Sequence, residues 1–453
     1  MHAETSVSRG TTRALLPALL VVAVVQVGFG LVTASGLLTL SRFDLGLAVV
    51  TQVLAAVGTV ASLWRVWLAA RYHPVDDVGD DRLPSVTVIV PAYNEGRQVL
   101  LTLRSLAASR YPRDRLELIA VDDGSGDDTW QWIRKGAEEL GELVTPVRMA
   151  KNGGKKHALA EGVRRAKGSV IVTVDSDSEV LPDTLRLLVA PFVVEAGCGA
   201  VAGSVRVLNR EGGPIPKMLD ATFTAAFDFM RAGESVAGGV LCAPGALTAF
   251  RTESVRTVLQ EWLDQTFFGL PATIGEDRAL TNLVLRSGQT VRYQSTAHVL
   301  TQVPETWRVL CRMLIRWGRS DVRESIVMAR FIFRDHRRQL QLVYLWSVIQ
   351  MVVAAVVFLP SIWAVFWLPQ SIPLMLGSTV CAGIPAVAIV WALRGRAVAA
   401  WSLPWSLYGL VALSWITPWS FITMHRGGWL TRSLPSTTRQ QWWLRLAGAF
   451  RVL

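Results

Sequence analysis

The chain is short of cysteine. Its 453 residues include four, Cys198, Cys242, Cys311 and Cys381, and no two of them stand in a C-x-x-C pair. That spacing argues against a structural zinc site or a disulfide framework and fits a reducing compartment. Repeated hydrophobic helix bundles are missing too, which argues against a pure transporter. No small-residue cleavage site follows the first apolar run, and that run is too long for a signal-peptide core. Acidic residues are outnumbered, 35 against 46 Lys and Arg, for a net charge of +11. Nucleic acid could explain such an excess in a soluble protein. Here 51% of the residues are hydrophobic and the mean hydropathy is +0.35. Basic residues collect on the cytoplasmic side of membrane proteins, so we expect a lipid bilayer and no nucleic acid among the partners.

What is present begins with long uncharged runs. Ala14 to Leu40 carries no charge and exceeds the roughly 20 residues that cross a bilayer core. Leu45 to Ala70 follows after Ser41-Arg42-Phe43-Asp44 and holds Arg65 near one end, where a long side chain can snorkel to the interface. Leu340 to Leu393 is uncharged and long enough for two crossings, with Pro369-Gln370-Ser371 as the turn. Ala397 to Met424 contains Pro404 and Pro418 and leads into a tail carrying Arg426, Arg432, Arg439, Arg445 and Arg451. As a full span it would leave that basic tail outside, so we read it as re-entrant or interfacial on the cytoplasmic face. Eleven of the 18 tryptophans lie from Trp346 onward, mostly as an interfacial aromatic belt.

The expected organisation is a transmembrane hairpin over 1–71, a cytoplasmic catalytic domain over 72–335 with interfacial amphipathic helices toward its end, a transmembrane helix pair over 336–396, and a re-entrant segment with a basic tail over 397–453. The expectation is a multi-pass plasma-membrane protein with both termini cytoplasmic.

Inside the soluble part, β-rich runs alternate with helical patterns. Val86 to Val90 ends at Pro91, and a helix follows from about Gly96 to Ala108. Leu116 to Val121 precedes a helix opening at Asp127-Asp128-Thr129. Val144 to Met149 precedes Asn152-Gly153-Gly154 and a helix to about Ala166, and then comes Val170 to Val174. Such alternation implies an α/β fold with a parallel, helix-covered sheet. Ligands of such sheets sit beyond the carboxyl ends of the strands.

The polar turns sit there: Pro91-Ala92-Tyr93-Asn94-Glu95, Asp122-Asp123, Lys151 to Lys156, and Asp175-Ser176-Asp177. A lone D-x-D is common, and four polar turns at successive strand ends say more. Asp123 can accept the imide N–H of a uracil. The glycines and ammonium groups of Asn152 to Lys156 suit phosphates. Asp177 suits a hard cation, Mg²⁺ or Mn²⁺, with Asp175 reaching metal or ribose. Asp122 and Asp175 have a plainer alternative as strand terminators and turn caps.

Gly275-Glu276-Asp277-Arg278 opens a further helix that ends at Ser287-Gly288. Glu276 fits a helix-dipole partner, whereas Asp277 can also serve as general base toward an acceptor hydroxyl. Arg312 to Ser320 is amphipathic. It reads as an interfacial helix, or as one that puts Arg316 near a diphosphate and Trp317 under a sugar.

These motifs resemble the processive, membrane-embedded family 2 glycosyltransferases, most of all the hyaluronan synthases, with chitin and chito-oligosaccharide synthases near by. Val90 to Glu95, Asp122 to Ser125, Asn152 to Lys155 and Asp175 to Ser178 carry the general resemblance. More specific are Val205 to Asn209, Cys242 with Gly245, Gly275 to Arg278 with Leu280-Thr281-Asn282, Arg316-Trp317 with Ser320 and Arg323-Glu324, and Gly428 to Arg432.

The resemblance implies a GT-A-type, Rossmann-like, mostly parallel sheet domain inserted between transmembrane helices. It implies metal-dependent hexosyl transfer from a UDP-sugar donor to a growing polysaccharide acceptor. Donor contacts would come from Pro91, Ala92, Tyr93, Glu95, Asp123, Lys155, Asp175 and Arg316, with Trp429 and Arg432 closing over the diphosphate. Asp177 with Asp175 would hold the metal, and Asp277 would be the base. Trp317, Cys242 and Glu276 would meet the acceptor. The chain departs from the family pattern at Met313, where Gln is expected, at Leu430, where Gly is usual, and at Glu276 in the G-D-D triplet. A non-processive transferase acting on a lipid carrier shares the strand-end motifs and is the main rival; a non-catalytic scaffold of the same fold is a weaker one. Sugar identity is not written in these motifs.

Overall fold

The structure, a computed structural model, describes Pro17, Leu20, Val21, Val24, residues 42–368 and residues 372–427. Its strands in chain order are β1 (Val86–Ala92), β2 (Leu116–Asp122), β3 (Val144–Arg148), β4 (Val170–Val174), β5 (Ser178–Val180), β6 (Cys198–Val207), β7 (Leu247–Arg251), β8 (Thr266–Phe267), β9 (Leu270–Pro271) and β10 (Thr290–Thr301). β8 and β9 form a separate two-stranded hairpin, and the other eight make one sheet in the order β3-β2-β1-β4-β7-β6-β10-β5.

β1, with parallel neighbours β2 and β4, is buried along its whole length. A central parallel strand is covered on both faces, so it reads as an unbroken Val/Ile run rather than an alternating one. Helices Gln98–Ala107, Thr129–Leu140 and Lys155–Arg165 follow β1, β2 and β3, close to the expected spans. Four of the seven pairings in the large sheet are parallel, β1 with β2, β1 with β4, β2 with β3 and β6 with β10. β7 runs antiparallel between β4 and β6, and β5 runs antiparallel on the far edge.

Outside the sheet, Arg42–Ala70 is one helix. Arg338–Trp367 and the Met375–Arg394 stretch of the next helix are long and apolar enough to cross a membrane. Arg396–Leu413 and Ile416–Thr423 meet at a bend of 53°, the geometry of a broken span or a re-entrant loop. Apart from Pro17, Leu20, Val21 and Val24, the first apolar run falls outside the described residues, as do the turn at 369–371 and the tail beyond 427. Arg65 faces a neighbouring helix. Its guanidinium donates to Ser347 Oγ at 3.0 Å and Gln350 Oε1 at 3.5 Å, both on the Arg338–Trp367 helix.

The amphipathic helix runs over Trp307–Ala329 and leans on the bent pair, where Arg319 Nε donates to Thr423 Oγ1 at 2.9 Å.

Candidate functional site

Three turns, following β1, β2 and β3, are stitched into one wall. Asn94 N–H donates to Ser125 Oγ, and Asn94 Oδ1 accepts from Gly126 N–H, both at 3.0 Å. Thr129 Oγ1 takes the N–H groups of Glu95 and Gly96, each at 2.8 Å. Gly124 has a φ of +69°, and a Cβ there would stand 2.7 Å from the backbone of Lys151 and Asn152. Only glycine allows the two loops to approach so closely in that conformation. Asp123, almost fully buried, accepts from Gly153 N–H at 2.7 Å and Gly154 N–H at 2.8 Å. Burial holds its carboxyl above the usual range, and the two N–H donors pull it back. Asp122 has the structural job. It accepts Ser125 N–H at 2.9 Å and pairs with Arg148 at 3.2 Å.

Beyond this wall is a cleft of about 690 Å³, lined by Pro91, Ala92, Tyr93, Glu95, Asp123, Asn152, Gly154, Lys155, Ala158, Asp175, Ser176, Asp177 and Arg316. Nine residues singled out in the sequence therefore share one space. Asp177 is pushed up to about 6, first by burial and then by Asp175, with Lys155 acting against both. Two crowded carboxylates are the environment that a divalent cation relieves. Among the described residues no group of three or more His, Cys, Asp or Glu forms a ready cage. Mg²⁺-type ions are commonly held by one or two carboxylates and fill their sphere with water and phosphate oxygens, so the donor set fits such an ion.

A second, smaller cavity adjoins the cleft, and Lys155 lines both. Lys155 Nζ pairs with Asp175 Oδ1 on one side and with Glu276 Oε1 at 3.4 Å on the other. Burial alone would lower this ammonium, but Asp175, Glu276 and Asp277 hold it well above its ordinary value. Asp277 lines the second cavity. Its Oδ1 accepts the Arg278 N–H at 2.8 Å and its Oδ2 the Gly245 N–H at 3.1 Å. Burial first, then Glu276, push Asp277 up to about 6, against Lys155 and Arg316. A carboxylate poised near neutrality is suited to taking a proton. Cys242 is close enough that Asp277, after burial, raises its thiol.

The Glu276–Arg286 helix is clamped to the Trp307–Ala329 helix by buried polar contacts. Arg278 donates to Asp321, and to Ser325 Oγ at 3.0 Å. Asn282 Nδ2 donates to Glu324 O and Oε2, both at 3.0 Å. Arg323 Nε donates to Glu324 Oε1 at 2.9 Å, and its guanidinium also reaches Ile274 O. At Gly275, where φ is +71°, an added Cβ would land on Ser320 Oγ. The β6 motif works in the same way. Arg206 donates to both oxygens of Asp228 at 2.7 and 2.9 Å, fixing a π-helical turn over Ala225–Arg231. Asn209 Nδ2 donates to Val303 O at 2.9 Å, just ahead of the amphipathic helix.

Not every expected residue lands in these two spaces. Trp317 is 40% exposed and lies against Phe223, ring centroids 6.3 Å apart, outside the cleft lining. Lys156 lines neither space. It is buried, donates to Ala272 O at 3.3 Å, and burial lowers it to about 8. Met313, in place of the usual Gln, is buried in the hydrophobic core. Trp429 and Arg432 lie outside the described residues. Sequence reasoning named Gly245 and Thr281 but not their contacts, the Gly245 N–H on Asp277 and the Thr281 hydroxyl donating to Asp277 O at 2.8 Å, and it missed Asp321. The Cys242-to-Gly245 spacing was the available signal for the first.

With this geometry in hand, the chain was compared with known proteins. Residues 84–320 match the family described as Glycosyltransferase like family 2. The chain is 35% identical over 293 residues to the hyaluronan synthase of Streptococcus pyogenes, covering 64% of this chain and 67% of the relative. It is 31% identical over 288 residues to an N-acetylglucosaminyltransferase of Rhizobium leguminosarum, covering 61% and 67%. Among solved structures it is similar to a mannosyltransferase from Pyrobaculum calidifontis in complex with GDP-Man and Mn²⁺, with a TM-score of 0.57 and 24% identity over 79% of this chain and 96% of that one.

Proposed function

The chain belongs to glycosyltransferase family 2, is hyaluronan synthase-like and has a GT-A-like fold, and on that basis we propose that it is a membrane-embedded, inverting transferase that extends a β-linked polysaccharide from UDP-sugar donors. The observation that carries the proposal is the junction at Lys155, one ammonium shared by the Asp175–Asp177 turn and the Glu276–Asp277 helix start. It sets the cleft and the cavity lined by Asp277 side by side.

In this reading the nucleotide lies along the wall of β1 to β4, with Asp123 accepting from the base and Pro91, Ala92, Tyr93 and Glu95 around it. Lys155 and Arg316 face the diphosphate. Asp177 and Asp175 would hold Mg²⁺ or Mn²⁺, an ion whose chemistry there would be to offset diphosphate charge; the Mn²⁺ of the Pyrobaculum calidifontis mannosyltransferase is in keeping with this. Asp277 takes the proton from the acceptor hydroxyl as its oxygen attacks the anomeric carbon. The bond to the diphosphate oxygen breaks, and UDP leaves with the electron pair. Attack opposite the leaving group turns an α-linked donor into a β-linked product. Cys242, Glu276 and Trp317 bound the acceptor, and Trp429 and Arg432 close over the donor. The polymer passes between membrane helices, with the catalytic domain and both termini cytoplasmic.

The test is direct. Purified protein in detergent, given UDP-sugars and Mg²⁺, should release UDP and yield long product on a gel, and Asp277→Asn should stop both. Equal turnover by that variant removes Asp277 as base, and a single transferred sugar on a lipid removes processive synthesis.

A further inference from the structure

Arg65 lies within an apolar helix, where an ionisable side chain is expensive and usually has a job. Its hydrogen bonds to Ser347 and Gln350 satisfy part of the guanidinium. The rest faces a small cavity that it lines together with Leu68, Phe229, Met230, Gly233, Glu234 and Val343. Glu234 is 9% exposed and sits on the short Ala232–Ala237 helix that continues the π-helical turn. Burial pushes its carboxyl up, and Arg231, Arg65 and Arg278 pull it down.

Glu234 also holds a loop. Its Oε2 accepts Leu241 N–H at 3.2 Å. The next carbonyl, Cys242 O, accepts from Arg231 Nε at 3.1 Å. The next N–H, of Ala243, donates to Thr281 Oγ1 at 3.2 Å. Two residues on, Gly245 N–H reaches Asp277. A short run of backbone thus joins Glu234, which shares the small cavity with Arg65, to the carboxylate assigned above as base.

We propose that Arg65 and Glu234 are a positioning pair through which the Arg42–Ala70 membrane helix fixes the Leu241–Gly245 loop and, through Gly245 N–H, the orientation of Asp277. This rests on Asp277 being the base. The pair touches no reacting atom. It sets where the Asp277 oxygens point, so its loss reduces turnover and leaves donor affinity alone. Arg65 and Glu234 line one small cavity between packed helices, so the pair works wherever those helices stay packed.

The experiment compares Arg65→Gln, Glu234→Gln and the double variant, in the full-length protein, by UDP release with donor varied. Glu234→Gln keeps an oxygen for Leu241 N–H and removes only the charge, which limits unfolding. Each single variant should lower kcat on the order of tenfold, in line with the penalty for a small misplacement, with donor KM within about twofold. The double variant should be no worse than the poorer single one. Wild-type kcat in either single variant, or losses that multiply in the double, overturns the pairing. A lowered thermal midpoint with kcat and KM both impaired overturns it as well, since that marks a purely structural role. Asp277→Asn run in parallel separates the failures. If it turns over, the base assignment falls; if it is dead while the pair variants are normal, only this inference falls.

Discussion

On the β1-to-β4 side, the cleft is made of backbone. Tight turns are laced by main-chain N–H groups, and Gly124 lets the β2 and β3 turns touch. On the Glu276–Arg286 side its support is made of side chains, Arg278 and Asn282 reaching Asp321 and Glu324 on the next helix. The first construction is local, with each turn carrying its own instructions. The second depends on partners some forty residues apart, such as Arg278 and Asp321. Asp321 is half exposed, but Asn282 and Glu324 are buried, and leaving either without its partner is costly. The Glu276–Arg286 half should therefore be the more fragile of the two, and the β1-to-β4 half the more tolerant.

The sharpest contrast is chemical. Asp277→Asn should reduce UDP release by about 10³-fold or more with donor KM little changed, in keeping with loss of a general base. Asp123→Asn should act mainly through donor KM, as measured by varying UDP-sugar. If both variants behaved alike, the division into two halves would fail. Next in size is Gly275→Ala. The added Cβ meets Ser320 at a φ of +71°, and we expect a loss of about 3 kcal/mol or more in thermal or denaturant unfolding. Ser320→Gly added to it should recover part of that loss.

The pH profile comes third. Asp277 and Asp177 are both pushed up to about 6, and both must be ionised for the proposed reaction. Activity should hold above that value and fall as pH drops through it, about tenfold per unit for a single titrating group. A bound cation favours ionised Asp177, so saturating Mg²⁺ should shift the Asp177 contribution to lower pH and leave the Asp277 limb in place. An unmoved steep profile at all Mg²⁺ concentrations would contradict a cation on Asp177. The smallest effect belongs to Lys156→Met, with donor KM within about twofold of wild type, against a rise of about tenfold or more for Lys155→Met.

This last pair shows where reading the sequence stops. Lys155 and Lys156 are adjacent, and both suit phosphate by composition. They begin a helix, and consecutive helical residues point about 100° apart. One enters the cleft and the other goes under Trp262, 5.7 Å from its ring. Nothing local sets that phase. The first four strands and their turns were legible because each strand ends in a polar turn with glycine or acid. β6, β7 and β10 were not, because β7 reaches its place between β4 and β6 only through long-range antiparallel pairing. Val205 to Asn209 stood out as a motif, but its task, holding Asp228 and Val303, is visible only once those partners are brought near. The same is true of Ser320 and Glu324.

Lys155 balances charge for Asp175 and Glu276 at once, so the two specificities of this enzyme are not free to evolve separately. A substitution that retunes the pocket for another nucleotide or ion would also disturb the proton acceptor next door. Lineages that change their sugar would then be expected to carry paired changes, one at each end of a single ammonium group.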